Sequence, residues 1–443
     1  MNKIKFTLLR LGIDKDVAWI LFNRFSMLLN GPILLIFILL YLDEIEQGYW
    51  FVFGSLSAIS VLAELGFTRI ITQFVSHEFS HLEINKGFIR GQYKQIDRLI
   101  SLIRYSFRVY LVIIPVAFII VWTWGLYILN DAPTEIIISW SFFAIVSSIK
   151  LLLSLFQAIY QGLDKVSDVY RSLTAGVWIM QTSSWILLIL GFGIWTLVIS
   201  SFSSIIYMAL QLYMSSPRFW SQVRRHKQHQ DYRWFDEIII LQGKYAVSWV
   251  SGYLVFHLFV PFALKYHGPE VAGQLGMTIA LLKSLMSISS SWVESKIPKL
   301  NMFVAKNEHE KLVSLFKKSA YQGYISYLVG AIVLCSLVYI SVKFEIYNDR
   351  ILSFNNLVLL LLSDLAMVKI SFMAVFLRAH KEEPYYILSL VNGLLVAGTI
   401  YVLLPISLTH QFTALVGIYW LILLPWAYYI YACKSVKYKK LKS

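Results

Sequence analysis

Phe156-Gln157-Ala158-Ile159-Tyr160, followed by Lys165, returns later in the chain as Phe372-Met373-Ala374-Val375-Phe376, followed by Lys381. Two further pairs keep nearly the same offset of about 220 residues. They are Leu21-Phe22-Asn23-Arg24-Phe25 with Leu241-Gln242-Gly243-Lys244-Tyr245, and Gln47-Gly48-Tyr49 with Ala272-Gly273-Gln274. Each match is short, but their common order and shared offset point to two copies of one unit within 443 residues.

What each copy contains follows from the apolar runs around these stretches. Runs of about 18 or more residues are long enough to cross hydrocarbon. They fall near 18–41, 49–76, 106–129, 137–161, 172–190, 193–214, 237–262, 270–292, 319–342, 354–377, 385–405 and 413–432. Six runs per copy give both copies the same direction through the membrane, related by an axis along its normal. The expected architecture is an all-α integral membrane protein of about 12 transmembrane helices in two six-helix lobes with that pseudo-twofold. The lobes are 1–214 and 237–443, joined by a basic linker, 215–236.

Composition agrees. The chain is 58% hydrophobic and 14% charged, against roughly a quarter charged in soluble domains. Its 16% aromatic content suits belts at both membrane interfaces. A net charge of +14 raises nucleic acid as a partner, but its distribution selects a membrane instead. With the N-terminus inside, the segments on the cytoplasmic side hold 29 Lys and Arg and the outer connections only 3. Both termini are therefore expected in the cytoplasm of a bacterial inner-membrane protein. The polar, basic start, with no small-residue cleavage site after the first apolar run, predicts a retained helix rather than a signal peptide. Short outer loops leave no room for an external domain. The larger inner connections, 77–104 and 298–318, are expected as amphipathic segments against the anionic leaflet or as solvated basic loops.

Seven basic residues remain within the apolar runs: Arg24, Arg69, Arg108, Lys150, Lys244, Lys283 and Lys369. A cation at mid-bilayer costs about 2.5–3.5 kcal/mol on insertion scales, so it faces a bundle interior or water. Arg69 and Arg108 lie near inner helix ends, where a long side chain snorkels to the interface. Arg24, Lys150, Lys244, Lys283 and Lys369 are left as a cationic, substrate-binding set, and a cavity lined by cations suits an anionic passenger. Glu64 and Asp364 share this depth. They are candidates for binding a coupling proton or sodium ion, with a structural ion pair (Asp364 to Lys369, Glu64 to an Arg) as the alternative. Pro32 and Pro261 are expected to kink their spans. Cys335 and Cys433 make neither a disulfide framework nor a CxxC site, and the nine His lack metal-ligand spacing, so no metal or cofactor is expected.

Within the second apolar run, Gln47-Gly48-Tyr49-Trp50 leads to Leu62-Ala63-Glu64-Leu65-Gly66-Phe67-Thr68. This resembles the Gly-aromatic … Asp/Glu-Leu-Gly-apolar-Ser/Thr pattern of Wzx-type polysaccharide or O-antigen flippases, members of the multidrug/oligosaccharidyl-lipid/polysaccharide exporter superfamily. Gln161-Gly162-Leu163-Asp164-Lys165 and Ile297-Pro298-Lys299-Leu300 are similar to family members too. The resemblance implies a passenger that is an oligosaccharide on a polyprenyl diphosphate carrier, moved between leaflets by alternating access. It also implies membrane lipids and other polysaccharide-assembly proteins as partners. That passenger is anionic, as the charge pattern independently suggests, and its sugar needs a polar path, for which Asn23, Asn30, Gln157, Gln161, Gln181 and Asn392 are candidates.

Two competing functions are open. One is export of a different small molecule or polyanion, multidrug-type; the Gly-x-x-x-Asp-(Arg/Lys)-x-Gly loop usual in major-facilitator proteins is missing from 77–105. The other is a membrane enzyme of polysaccharide assembly, disfavoured by the short loops. No Walker A sequence (GxxxxGK[ST]) occurs, so the expectation is a transporter and not an enzyme.

Overall fold

The computed structural model describes residues 15–227, 230, 232–344, 348–380 and 382–440. The fold is almost wholly helical. The first half runs α1 (Lys15–Tyr41), α2 (Glu44–Ser57), α3 (Ser60–Glu64), α4 (Phe67–Phe79), a hairpin of β1 (Glu83–Asn85) and β2 (Phe88–Arg90), then α5 (Tyr93–Ile128), α6 (Thr134–Gly162), α7 (Val166–Ile189), α8 (Trp195–Ser215) and α9 (Pro217–Arg225). The second runs α10 (Trp234–Phe256), α11 (Phe259–Glu294), α12 (Ile297–Ala305), α13 (His309–Lys343), α14 (Phe354–Arg378), α15 (Tyr386–Leu403), α16 (Leu408–Gly417), a wider π turn at Ile418–Leu423, and α17 (Leu424–Lys440).

Among the described residues, ten helices are long and apolar enough to cross a membrane, or eleven if the bent pair α2–α3 and α4 counts as one span. This is a multi-pass membrane protein. The expected seventh span, 237–262, falls on α10, many of whose side chains lie outside the described residues.

Three local departures have physical causes. The second expected span is not one rod: it bends by 46° where Leu65 (φ 48°) and Gly66 (φ 79°) turn left-handed between α3 and α4. Gly makes such a turn at low cost, whereas Leu does not, so the surrounding contacts must hold the bend. Segment 77–104 is not an amphipathic strip on the membrane. It is the end of α4, the hairpin and the first turns of α5, and Leu99, Ile100 and Ile103 are buried in the protein's own core. The break near Pro261 falls earlier, at His257 and Leu258, so that Pro261 sits in the first turn of α11, where its missing N–H is tolerated. Pro32 lies inside α1, which continues through it.

By its contacts the chain parts into two units. One takes Leu56–Trp249 together with the chain up to Leu42; the other takes Asp43–Ser55 with the chain from Val250. In the first unit α1 packs on α7, α7 on α8, and α4 and α5 on α6. Its core includes Tyr110, Tyr160, Phe219 and Trp234, each nearly inaccessible. In the second unit α11 packs on α13 and α14, and α14 on α16 and α17. Here α2 approaches α11 so closely that a Cβ on Gly48 would stand 2.0 Å from the Pro269 carbonyl oxygen.

Candidate functional site

In the first unit the site is built around Glu64, the last residue of α3 and 5% exposed. Three hydroxyls donate to its carboxylate. Tyr110 of α5 and Ser154 of α6 (2.5 Å) reach Oε1, and Thr68 of α4 reaches Oε2 at 3.3 Å. The helix break places the carboxylate here, because it ends α3 at Glu64 and leaves backbone carbonyls without helical partners. Gln242 of α10 takes up two of them, its Nε2 donating to the oxygens of Glu64 (2.8 Å) and Leu65 (3.0 Å). Among the described residues no basic side chain pairs with Glu64, so the ion pair with an Arg is not formed. Hydroxyls both donate and accept, so the same three partners can satisfy a carboxylate and a carboxylic acid.

Ser154 belongs to a stripe on α6. Ser147, Lys150, Ser154, Gln157 and Gln161 follow one another at steps of three and four, so they share one helix face. Lys150 is exposed on this stripe, one turn from the residue that holds Glu64. Along α6 the exposed Ile138, Phe142, Ile145 and Ile149 form a separate apolar line of the kind lipid accepts. Arg24 is exposed on α1, whereas Asn23 and Asn30 are buried. Asn30 Nδ2 donates to the Ser26 carbonyl at 2.8 Å, and Trp178 Nε1 of α7 donates to Ser26 Oγ at 3.2 Å. Asn23 and Asn30 therefore belong to the packed face of α1 rather than to an open polar path. Arg69 and Arg108 are both exposed. The side chain of Lys244 lies outside the described residues.

The second unit holds Asp364, Lys369 and Lys283. Asp364 of α14 is half-buried and faces Tyr327 of α13, whose hydroxyl donates to the Leu361 carbonyl at 2.9 Å and stands 3.4 Å from Oδ2. The Asp364–Lys369 ion pair expected as the alternative role is not formed. Instead the Lys369 ammonium lies 4.7 Å from the centre of the Trp420 ring. Trp420 comes from the π turn, where the widened helix presents it toward α14 and its Nε1 donates to the Leu362 carbonyl at 2.9 Å. A five-residue separation rotates Asp364 and Lys369 apart on α14, which is why the cation finds the ring rather than the acid. Lys283 is exposed on α11. Among the described residues no group of three His, Cys, Asp or Glu could hold a metal ion.

Sequence reading missed Tyr110, Thr68, Ser154, Gln242, Tyr327 and Trp420. Two signals were available: Ser154 stands four residues after Lys150, and Tyr110 and Tyr327 repeat at the offset of the other internal matches.

No protein-family model matches the sequence, and no curated protein is significantly similar to it. Solved structures are similar along almost the whole chain. An inward-facing conformation of a multidrug resistance MATE family transporter of the MOP superfamily superposes with a TM-score of 0.64, at 11% identity, over 95% of this chain and 96% of that one. The fold is that of a MATE transporter. An outward-facing conformation of a multidrug resistance MATE family transporter of the MOP superfamily gives 0.54 at 12% identity, over 96% and 97% of the two chains. A MATE in complex with MaD3S gives 0.58 at 13%, again over 96% and 97%. The MATE fold thus occurs with access from either side of the membrane.

Proposed function

We propose that this chain is a flippase that moves a polyprenyl-diphosphate-linked oligosaccharide from the cytoplasmic to the outer leaflet of a bacterial inner membrane, by alternating access. The observation that carries this reading is the pair Lys150 and Lys283. Each is exposed on an otherwise apolar span, and among the described residues neither ammonium has a carboxylate partner. An unpaired cation at that depth is costly unless a water-filled path or an anionic passenger meets it. A diphosphate supplies that charge and the acceptor oxygens to match. Gln157 and Gln161, on the stripe of Lys150, suit sugar hydroxyls. Glu64 within its hydroxyls, and Asp364 beside Tyr327, are the groups assigned to a coupling proton or sodium ion. Arg24 in the first unit and Lys369 in the second, held over Trp420, are also assigned to anion binding, and both termini to the cytoplasm.

Export of multidrug type is the second reading, favoured by the likeness of fold to multidrug resistance MATE family transporters. Organic cations, however, would be repelled by Lys150 and Lys283.

Proteoliposomes loaded on one leaflet with polyprenyl-diphosphate oligosaccharide separate these readings under an imposed proton or sodium gradient. Wild type is expected to move the lipid, and the Lys150→Ala/Lys283→Ala variant to lose at least ten-fold in rate at equal abundance. Equal movement by both would discard the site. Gradient-driven uptake of organic cations, with the lipid-sugar left in place, would establish the exporter.

A further inference from the structure

A cavity outside this site lies where the basic connections meet the ends of the spans. It measures about 440 Å³ and is lined by Arg104 and Phe107 of α5, Tyr213 of α8, and Trp220, Val223 and Arg224 of α9. Its construction begins with α9, a nine-residue helix with two faces: Phe219, Trp220 and Val223 are buried, while Arg218, Arg224 and Arg225 are exposed. Trp220 anchors that helix, its Nε1 donating to the Tyr160 hydroxyl at 3.1 Å and its ring meeting Phe107 edge-on at 6.0 Å.

Arg104 fixes the other side. Its guanidinium donates to the carbonyls of Val223 (2.6 Å), Arg224 (3.2 Å) and His226 (2.6 Å), which closes the end of α9. Carbonyls hold a guanidinium in place without cancelling its charge. Among the described residues Arg224 reaches the Tyr213 hydroxyl alone, at 3.4 Å. Among the described residues neither guanidinium meets a carboxylate. The nearby acids are committed elsewhere: Asp97 to His226 at 2.8 Å, Glu78 and Glu237 to Arg98. Arg108 stands exposed one turn beyond Arg104 on α5.

Exposed apolar residues continue from the cavity along two of its helices. One turn further along α5, Leu111 is 73% exposed, and one turn back along α8, Leu210 is 55% exposed. Both continue into the parts of their helices that cross the membrane. Two uncancelled guanidiniums, aromatic walls of the kind that sit at headgroup level, and an apolar exit combine in one place. We propose that this cavity binds the phosphate of a lipid headgroup, with Arg224 and Arg104 on the phosphate oxygens and the acyl or prenyl chain leaving past Leu111 and Leu210. Basic pockets between helices at the membrane surface recognise lipid phosphates in this way. The assignment does not depend on the flippase reading.

The test uses the full chain in phosphatidylcholine nanodiscs, titrated with phosphatidylglycerol, polyprenyl diphosphate or inorganic phosphate, with retention scored by native mass spectrometry. Wild type is expected to retain one of the two anionic lipids, and the one retained identifies the source of the phosphate. Arg224→Ala, which breaks only the Tyr213 contact, is expected to weaken retention about ten-fold and Arg224→Lys by less. Arg104→Ala removes the closure of α9 and so is judged only where its thermal unfolding matches wild type. Equal retention by wild type and Arg224→Ala would overturn the proposal. So would phosphatidylcholine held as firmly as phosphatidylglycerol, or inorganic phosphate held as firmly as either anionic lipid.

Discussion

Tyr110 and Tyr327 stand in the third and ninth expected spans at the offset of the internal repeat, and the hydroxyl of each faces a carboxylate. The acids themselves are not equivalent. Glu64 comes from the helix break in the second span, Asp364 from the middle of the tenth. Phe107 and Tyr324, one turn before each tyrosine, also correspond, and they pack on the matching Phe156 (5.5 Å) and Phe372 (5.0 Å). Each unit thus carries a tyrosine–carboxylate pair on the same internal framework.

Tyr110→Phe removes one of three donors to a buried carboxylate and is expected to cost about 1–3 kcal/mol. Tyr327→Phe should cost less at the acid, because its hydroxyl is 3.4 Å from Asp364 and the Leu361 carbonyl it also reaches lies within α14. Thermal unfolding in detergent measures both. Glu64→Gln preserves the acceptor and is expected to fold normally while gradient-driven transport falls at least ten-fold; undiminished driven transport would remove Glu64 from the coupling role.

Close helix packing in the second unit predicts an ordered series. Gly48→Ala would drive a methyl group to 2.0 Å from a backbone oxygen, and Gly276→Ala would bring one to 2.3 Å from Phe51 Cβ. Each is expected to destabilise by about 1–3 kcal/mol. Gly54→Ala meets nothing within 4 Å and replaces Gly within a helix, so it should be neutral or slightly stabilising. Unfolding midpoints of the three variants check the order.

Lys165, between α6 and α7, donates to Ser216 and stands 5.6 Å from the Tyr160 ring centre. Burial pushes its ammonium below the usual lysine range, and Asp168 partly offsets this. The unfolded chain therefore binds more protons than the folded one between the lowered value and the ordinary 10.5. Stability contributed by this group rises with pH through that window. Lys165→Met is expected to lose that rise, visible as a shallower change in unfolding midpoint as pH approaches 10.5 from below.

Trp420→Ala removes the ring under the Lys369 ammonium and the indole donor to Leu362. Trp420→Phe keeps a π face but not the donor. If the ring positions Lys369, transport should fall in the order wild type, Phe, Ala, while the Ala variant alone loses affinity for the anionic passenger. Equal rates for Phe and Ala would show that the indole hydrogen bond matters instead.

The lengths and order of the spans were legible because hydrocarbon thickness sets a minimum apolar run, and that constraint acts on each segment separately. The environment of Glu64 was not. Its partners Tyr110, Ser154 and Thr68 lie on three different helices, and Gln242 arrives from a fourth. Such meetings depend on helix rotation, which apolar runs leave undetermined. The hairpin at 83–90 was missed for a related reason: its stability comes from tertiary partners, above all the Gln222 amide bonding both backbone groups of Ile89.

The close seat of Gly48 against Pro269 has a consequence for biosynthesis. Helix α2 is made early, yet the helix it packs on is not translated until about 220 residues later, which at roughly 5–20 residues per second is a delay of roughly ten to forty seconds. During that interval its glycine face has no permanent neighbour, and the early-made unit must fold around a segment that belongs elsewhere. Until Pro269 has been made, that one helix is still waiting for its partner.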